Sequence, residues 1–233
     1  TSERLDLSRM VMGLVLEEYQ PLFGYTVNYK FFYHIYNNTI LAPGGMAMKP
    51  AEIIECLELN PIIAAIRDDG WDAALHSPAQ VLFYLSADIM TVRQRIEQAH
   101  QAEKIVFIHV DLAEGIGKDR AAIRFLAQCG TDGVISTRAQ LIRYAKEQQL
   151  LTVQRFFTLD SKGMDSIDEM LRSTGPNMME LMPGVICKTV QRFSRGHIPV
   201  IAGGLVQTKQ EVMDALNSGA AAVSTGQKEL WYL

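Results

Sequence analysis

From residue 50 onward, short apolar runs alternate with amphipathic stretches at intervals of roughly 20 residues, the pattern of repeated strand–helix units. The apolar runs predict strands over 61–68, 81–87, 104–112, 131–137, 150–159, 178–182, 198–203 and 220–225. Helical periodicity lies between them, over 90–102, 118–129, 138–149, 164–173, 185–195 and 208–218. Thr208 and Glu211 have the spacing of a capping box, and Gly219 stands where a left-handed residue would end that helix. Parallel strands need crossover connections, so repeated units predict a parallel sheet. Eight of them favour an α/β fold of the compact (β/α)8 TIM-barrel type over an open doubly wound sheet. A further helix over 51–59 would plug the N-terminal mouth. The span 61–226 is shorter than the roughly 250 residues typical of such barrels, so the loops must be short.

The first 45 residues break this pattern. They carry a dense aromatic set, Tyr19, Phe23, Tyr25, Tyr29, Phe31, Phe32, Tyr33 and Tyr36, with one candidate helix over 5–19. Pro43-Gly44-Gly45 closes the stretch as a turn. The chain opens with Thr1, whereas Met46 and Met48 stand just before the first well-patterned segment. The expectation is therefore a working domain over 46–233, with residues 1–45 either upstream translated sequence or an unusual extension. The rival reading is a dimerisation or RNA-contacting arm. Intact mass of the native protein would separate the two.

Composition narrows the class. With 48% hydrophobic and 21% charged residues in 233, the chain can bury a large core, which excludes a mostly disordered protein. No apolar run approaches the roughly 20 residues of a membrane span. A net charge of −4 and a pI near 5.7 mean that any nucleic-acid contact must be a local patch. Cys56, Cys129 and Cys187 are dispersed, with no CxxC pair, and read as reduced buried thiols. No secretory signal pattern opens the chain, so the expected compartment is the cytoplasm.

Strand parity then selects polar groups for the barrel mouth. In 104–112, Ile105, Phe107, His109 and Asp111 share one face, while Val106, Ile108 and Val110 share the other and should pack against helices. His109 and Asp111 thus fall at the lumen-facing C-terminal end, where barrel sites are built. Arg67 ends the first strand inward and Glu180 lies between Met178 and Met182. Gln154 and Arg155 are adjacent, and parity alone does not say which points in. Gly203-Gly204 and Ser224-Thr225-Gly226 follow strands seven and eight, the usual phosphate position of this fold. Glycine lets backbone N–H groups approach an anion, and hydroxyls add donors.

These residues point to a barrel that takes a phosphorylated small molecule. Lys104, the one lysine in a strand candidate, sits at the wrong end for a Schiff-base aldolase. His109, Asp111 and Glu180 suit acid–base work or a divalent metal on a sugar phosphate, as in an isomerase or epimerase, as well as they suit a binding pocket.

At these same residues the sequence resembles the glycerol uptake operon antiterminator regulatory proteins. The segments are Pro61-Ile62-Ile63-Ala64-Ala65-Ile66-Arg67, Phe107-Ile108-His109-Val110-Asp111-Leu112 with Glu114-Gly115, and Asp132-Gly133-Val134-Ile135-Ser136-Thr137. They continue with Thr152-Val153-Gln154-Arg155-Phe156-Phe157 and Leu159-Asp160-Ser161, Glu180-Leu181-Met182-Pro183-Gly184, Ile201-Ala202-Gly203-Gly204-Leu205 and Ala222-Val223-Ser224-Thr225. The match runs in order from about Leu57 to Trp231. It implies a non-catalytic regulator without cofactor or resident metal. Such a protein responds to glycerol 3-phosphate and binds the leader mRNA of a glycerol-metabolism operon. Carried onto this chain, Gly203, Gly204, Ser224 and Thr225 would hold the phosphate. Arg67, His109, Asp111, Gln154 and Glu180 would surround the glycerol hydroxyls or support that shell.

For RNA, the sequence offers one basic stripe, Lys188, Arg192 and Arg195, opposite Ile186, Val190 and Phe193. Arg138, Arg143 and Lys146 form a second set. Either also describes a solvated outer helix. A homo-oligomer is compatible with the reading, and no membrane partner is expected.

Overall fold

The computed structural model describes residues 49–158 and 161–233. The expectations for residues 1–45 and for Leu159-Asp160 lie outside the described residues. Eight strands, β1 Ile62–Ile66, β2 Val81–Tyr84, β3 Ile105–His109, β4 Gly133–Ser136, β5 Leu151–Phe157, β6 Met178–Met182, β7 Val200–Gly203 and β8 Ala222–Thr225, pair in parallel in that order. The register Ile63↔Ser224 between β1 and β8 closes the barrel.

The helices are α1 Pro50–Leu59, α2 Trp71–His76, α3 Val92–Gln101, α4 Arg120–Cys129, α5 Ala139–Glu147, α6 Ser161–Thr174, α7 Cys187–Phe193 and α8 Lys209–Asn217. The short α2 escapes a periodicity reading because six residues hold less than two helical turns. At α8, Thr208 Oγ1 accepts from the Glu211 N–H at 3.2 Å and Glu211 Oε2 accepts from the Thr208 N–H at 2.9 Å, the capping box read from the sequence. Gly219 follows with φ +97°, in the left-handed region.

The core divides in two because successive strand residues point to opposite faces. The outward set, including Ile62, Ala64, Leu82, Val106, Ile108, Val134, Leu181 and Val223, packs under the helices. The inward set, Ile63, Val81, Phe83, Phe107, Ile135, Leu151, Val153, Met178, Ile201 and Ala222, fills the lumen. Ile53, Cys56 and Leu57 of α1 belong to the lumen cluster, so this helix stoppers the N-terminal mouth. Gly133 is required there, since a Cβ would stand 2.3 Å from the Phe107 ring and 2.7 Å from the Leu151 carbonyl. The thiols of Cys56 and Cys129 are buried, that of Cys187 is half-buried, and all three are free. Cys56 donates to Gln80 Oε1 at 2.8 Å, and burial pushes its pKa up to about 11. Among the described residues no helix is long and apolar enough to cross a membrane.

Candidate functional site

With the N-terminal mouth stoppered, the open end is the C-terminal one, where a cavity of about 390 Å3 sits. The loops after β1, β7 and β8 build most of its wall. Arg67, Arg155, Glu180, Gly204, Leu205, Ser224, Gly226 and Lys228 carry the polar or close-approach features of its lining.

The floor is a buried hydrogen-bonded pair. Arg155 donates from Nε to Glu180 Oε2 at 2.5 Å, and Ser224 Oγ donates to Glu180 Oε1 at 2.5 Å. All three side chains are buried, so each charge must be compensated where it stands. The register Arg155↔Glu180 puts the two residues side by side on neighbouring strands. Gly203 belongs to this floor. A Cβ there would lie 2.3 Å from Glu180 Oε1 and 2.6 Å from Ser224 Oγ. Its role is to make room for the carboxylate, and it does not line the cavity as the phosphate reading expected.

Four other expectations change. Parity assigned either Gln154 or Arg155 to the lumen, and Arg155 takes it. Gln154 faces the helices, where its Oε1 accepts from Thr174 Oγ1 at 2.6 Å. Asp111 leaves the mouth because β3 ends at His109 and a 3-10 turn begins at Val110, which breaks the alternation. Its carboxylate instead accepts from Ser136 Oγ at 2.9 Å, the Thr137 N–H at 2.7 Å and Thr137 Oγ1 at 2.9 Å. Burial opposes its ionisation, yet the bonds from Thr137 and Ser136 outweigh that and hold the carboxyl below its usual range. Thr225 lines the cavity, but its hydroxyl ties two loops together, donating to the Val206 carbonyl at 2.8 Å and accepting from the Gln227 N–H at 3.1 Å. His109 does point inward but lies outside the cavity lining. It is 2% exposed, and its Nδ1 has no partner among the described residues. Burial, then the Arg155 charge, pushes its pKa down to about 4, so the imidazole is neutral near pH 7.

Arg67, Glu180, Gly204 and Ser224 therefore come together as expected. Arg155, Gly226 and Lys228 join them. Arg67 is exposed and makes no side-chain hydrogen bond or ion pair to another described residue, whereas Lys228 donates to the Asp69 carbonyl at 3.0 Å. Among the described residues, no three His, Cys, Asp or Glu side chains are placed to hold a metal ion. The metal arrangement of His109, Asp111 and Glu180 is thus not formed.

The basic stripes are largely committed elsewhere. Arg192 pairs with Asp165 at 3.0 Å and Asp168 at 3.2 Å, and α7 ends at Phe193, before Arg195. Lys188 remains exposed. Arg143 donates to Ser173 Oγ at 2.8 Å, and Lys146 to the carbonyls of Thr174 and Gly175. Arg138 lies 3.6 Å from Asp111.

Known proteins share this arrangement of sequence and fold. The uncharacterized protein YgcP of Escherichia coli (strain K12) is 32% identical over 184 residues, covering 78% of this chain and 96% of its own. The crystal structure of a glycerol uptake operon antiterminator regulatory protein from Listeria monocytogenes is 34% identical with a TM-score of 0.70, covering 74% of this chain and 95% of that one. A glycerol uptake operon antiterminator-related protein from Thermotoga maritima gives 31% and 0.67, over 73% and 96%. The family model described as glycerol-3-phosphate responsive antiterminator matches residues 62–231. That match spans every strand of the barrel and the whole lining of its open mouth, and the chain belongs to this family.

Proposed function

We propose that the chain binds glycerol 3-phosphate in the C-terminal cavity and, so loaded, binds the leader mRNA of a glycerol-metabolism operon in the cytoplasm and prevents premature termination. It acts as a regulator without turnover. Family membership supports the effector class, and the observation that carries the site is the composition of the cavity. Among the described residues, the backbone N–H groups of Gly204, Leu205 and Gly226 make no hydrogen bond, and Arg67 stands unpaired beside them. Gly204 has φ +74° and a Cβ there would come 2.5 Å from Met182 Cε, so glycine lets the backbone turn into the cavity. Unused N–H groups next to a free guanidinium suit a phosphate dianion. The glycerol hydroxyls then face the Arg155–Glu180 floor, which can both donate and accept.

Calorimetric titration with glycerol 3-phosphate, against plain glycerol and inorganic phosphate, tests this. The phosphate ester binds and glycerol does not. Gly203→Asp is a poor probe, because it would break the Glu180 network from within. Gly226→Asp is the clean one: a Cβ meets only the Ala65 carbonyl at 3.6 Å, and the residue needs no positive φ. This variant keeps its fold and loses glycerol 3-phosphate binding through charge repulsion. Unchanged affinity sinks the site. Retention of the wild-type chain's own leader transcript on a filter, dependent on the ester and weakening steeply with salt, tests the RNA step.

A further inference from the structure

Between the end of β3 and the start of α4 the chain makes a loop over residues 110–119, and one cation inside it organises the backbone. Lys118 Nζ donates to the carbonyls of Val110, Ala113 and Ile116, the last two at 2.9 and 3.1 Å. An ammonium has three N–H groups and no acceptor, so this set uses every donor it has. Nothing in α4 calls for a cation there. Lys118 stands next to the N-cap Asp119, at the end of the helix where the dipole disfavours positive charge. Burial lowers its pKa, and the Asp111 carboxylate works against that shift. The charge is accounted for by the three carbonyls it gathers around one point.

Those carbonyls bracket Leu112, which is the loop's only contribution to the cavity lining. Leu112 is 47% exposed, so packing of its own side chain does little to hold it. The rest of the loop is tied outward. The Asp111 carboxylate is held by Ser136 and Thr137, the Glu114 N–H donates to the Ala87 carbonyl at 2.8 Å, and the Glu114 carbonyl accepts from the Ile89 N–H at 3.1 Å. Between these anchors, the Lys118 ammonium fixes the backbone on both sides of Leu112. Strand order decides what Leu112 faces. In the closed barrel β3 is four strands from β7 in either direction, so Leu112 and the Gly204-Leu205 turn stand on opposite sides of the mouth.

We propose that Lys118 is a positioning residue of the effector site: its ammonium sets the backbone around Leu112 and so places that side chain against the ligand. The inference rests on the reading of the cavity as the glycerol 3-phosphate site. Lys118 is outside the lining and acts through Leu112, not through its own charge. Leu112 supplies an apolar wall that excludes water across from the phosphate, where a lower local dielectric strengthens the charge-assisted bonds.

Calorimetric titration of the full chain with glycerol 3-phosphate, at a temperature where circular dichroism shows every variant folded, tests this. Lys118→Met weakens binding about tenfold, as expected for the loss of one coupled contact. Lys118→Arg weakens it too, because a planar guanidinium cannot aim three N–H groups at carbonyls that converge on one point. If Lys118→Arg keeps full affinity while Lys118→Met loses it, the charge acts on the phosphate directly and the positioning role is overturned. A double-mutant cycle with Leu112→Ala reads the route. Lys118→Met should add nothing to the loss that Leu112→Ala already causes, and additive losses overturn the proposal. Should Lys118→Met fail to fold, Lys118→Arg carries the same cycle. Wild-type affinity in Lys118→Met, whatever its melting temperature, overturns the role and leaves the effector reading in place. A wild type that does not bind the ester removes the effector reading itself, and this role with it.

Discussion

His109 is the residue whose physical state is most at odds with an aqueous side chain. It is buried beside the Arg155 guanidinium with an unpartnered Nδ1, and both surroundings favour the neutral imidazole. Its folded pKa of about 4 lies below the ordinary 6.5. Above pH 6.5 neither the folded nor the unfolded state binds the proton there, and the full stability is present. Between 6.5 and 4 the unfolded chain takes up a proton that the folded chain refuses, so stability falls as pH falls, by up to about 3 kcal/mol. Urea midpoints from pH 7 to pH 4 should show this slope in the wild type and a shallower one in His109→Gln. Equal slopes would mean that other groups carry the acid sensitivity. The solvent-side His100 runs the other way. Its bond to Asp132 at 3.0 Å raises its pKa, so its contribution is present at low pH and lost as pH rises. Parity put His109 in the lumen correctly, because β3 alternates cleanly between β-branched and mixed faces. Parity misplaced Asp111 because alternation says nothing about where a strand turns into a 3-10 helix.

At the scale of the element, α1 shows how amphipathic pattern becomes architecture. Ile53, Cys56 and Leu57 share its inward face and meet Ile63, Val81 and the Phe83 and Phe107 rings at the base of the lumen. Leu57 is fully covered in that contact. Replacing Leu57 with Ala leaves a cavity in a packed stopper and should cost about 2–5 kcal/mol in chemical denaturation. A loss well below that range would mean that α1 only rests on the barrel. The same pattern reading located α8, its capping box and its Gly219 terminus, since cap chemistry is local and needs no tertiary partner. It did not locate α2, and it ran α7 past its real end at Phe193, which removed Arg195 from the basic stripe. Both failures have one cause: a short helix is held by its packing more than by its own periodicity.

At the scale of the whole molecule, among the described residues α1 closes the base of the barrel and the cavity lies at its other end. A ligand that binds only the folded state adds stability set by its concentration relative to its dissociation constant, about 2.7 kcal/mol at a hundredfold excess. Thermal unfolding should therefore move upward with glycerol 3-phosphate and stay still with glycerol. An equal rise with both would show that the phosphate subsite is not what selects the ligand. The same titration on Gly226→Asp separates specific binding from general solvent effects.

Eightfold alternation of apolar runs and helical stretches was enough to specify a closed parallel barrel, because parallel strands must be joined by crossovers and each strand must bury both faces. It also placed Glu180, Gly204, Ser224 and Gly226 at the C-terminal end of the barrel, where the cavity lies. What only the tertiary structure decided is which polar group meets which. Arg155 and not Gln154 enters the lumen, through a register that neither side chain reveals when both faces of β5 are buried. Gly203 serves Glu180 and Ser224, residues that stand 23 and 21 positions away in sequence. On the outer helices, Arg192 and Lys146 are paired with acids and carbonyls that no helical stripe could show. Periodicity reports the face on which a residue lies; the partner across that face comes from a distant segment, and only folding brings the two together.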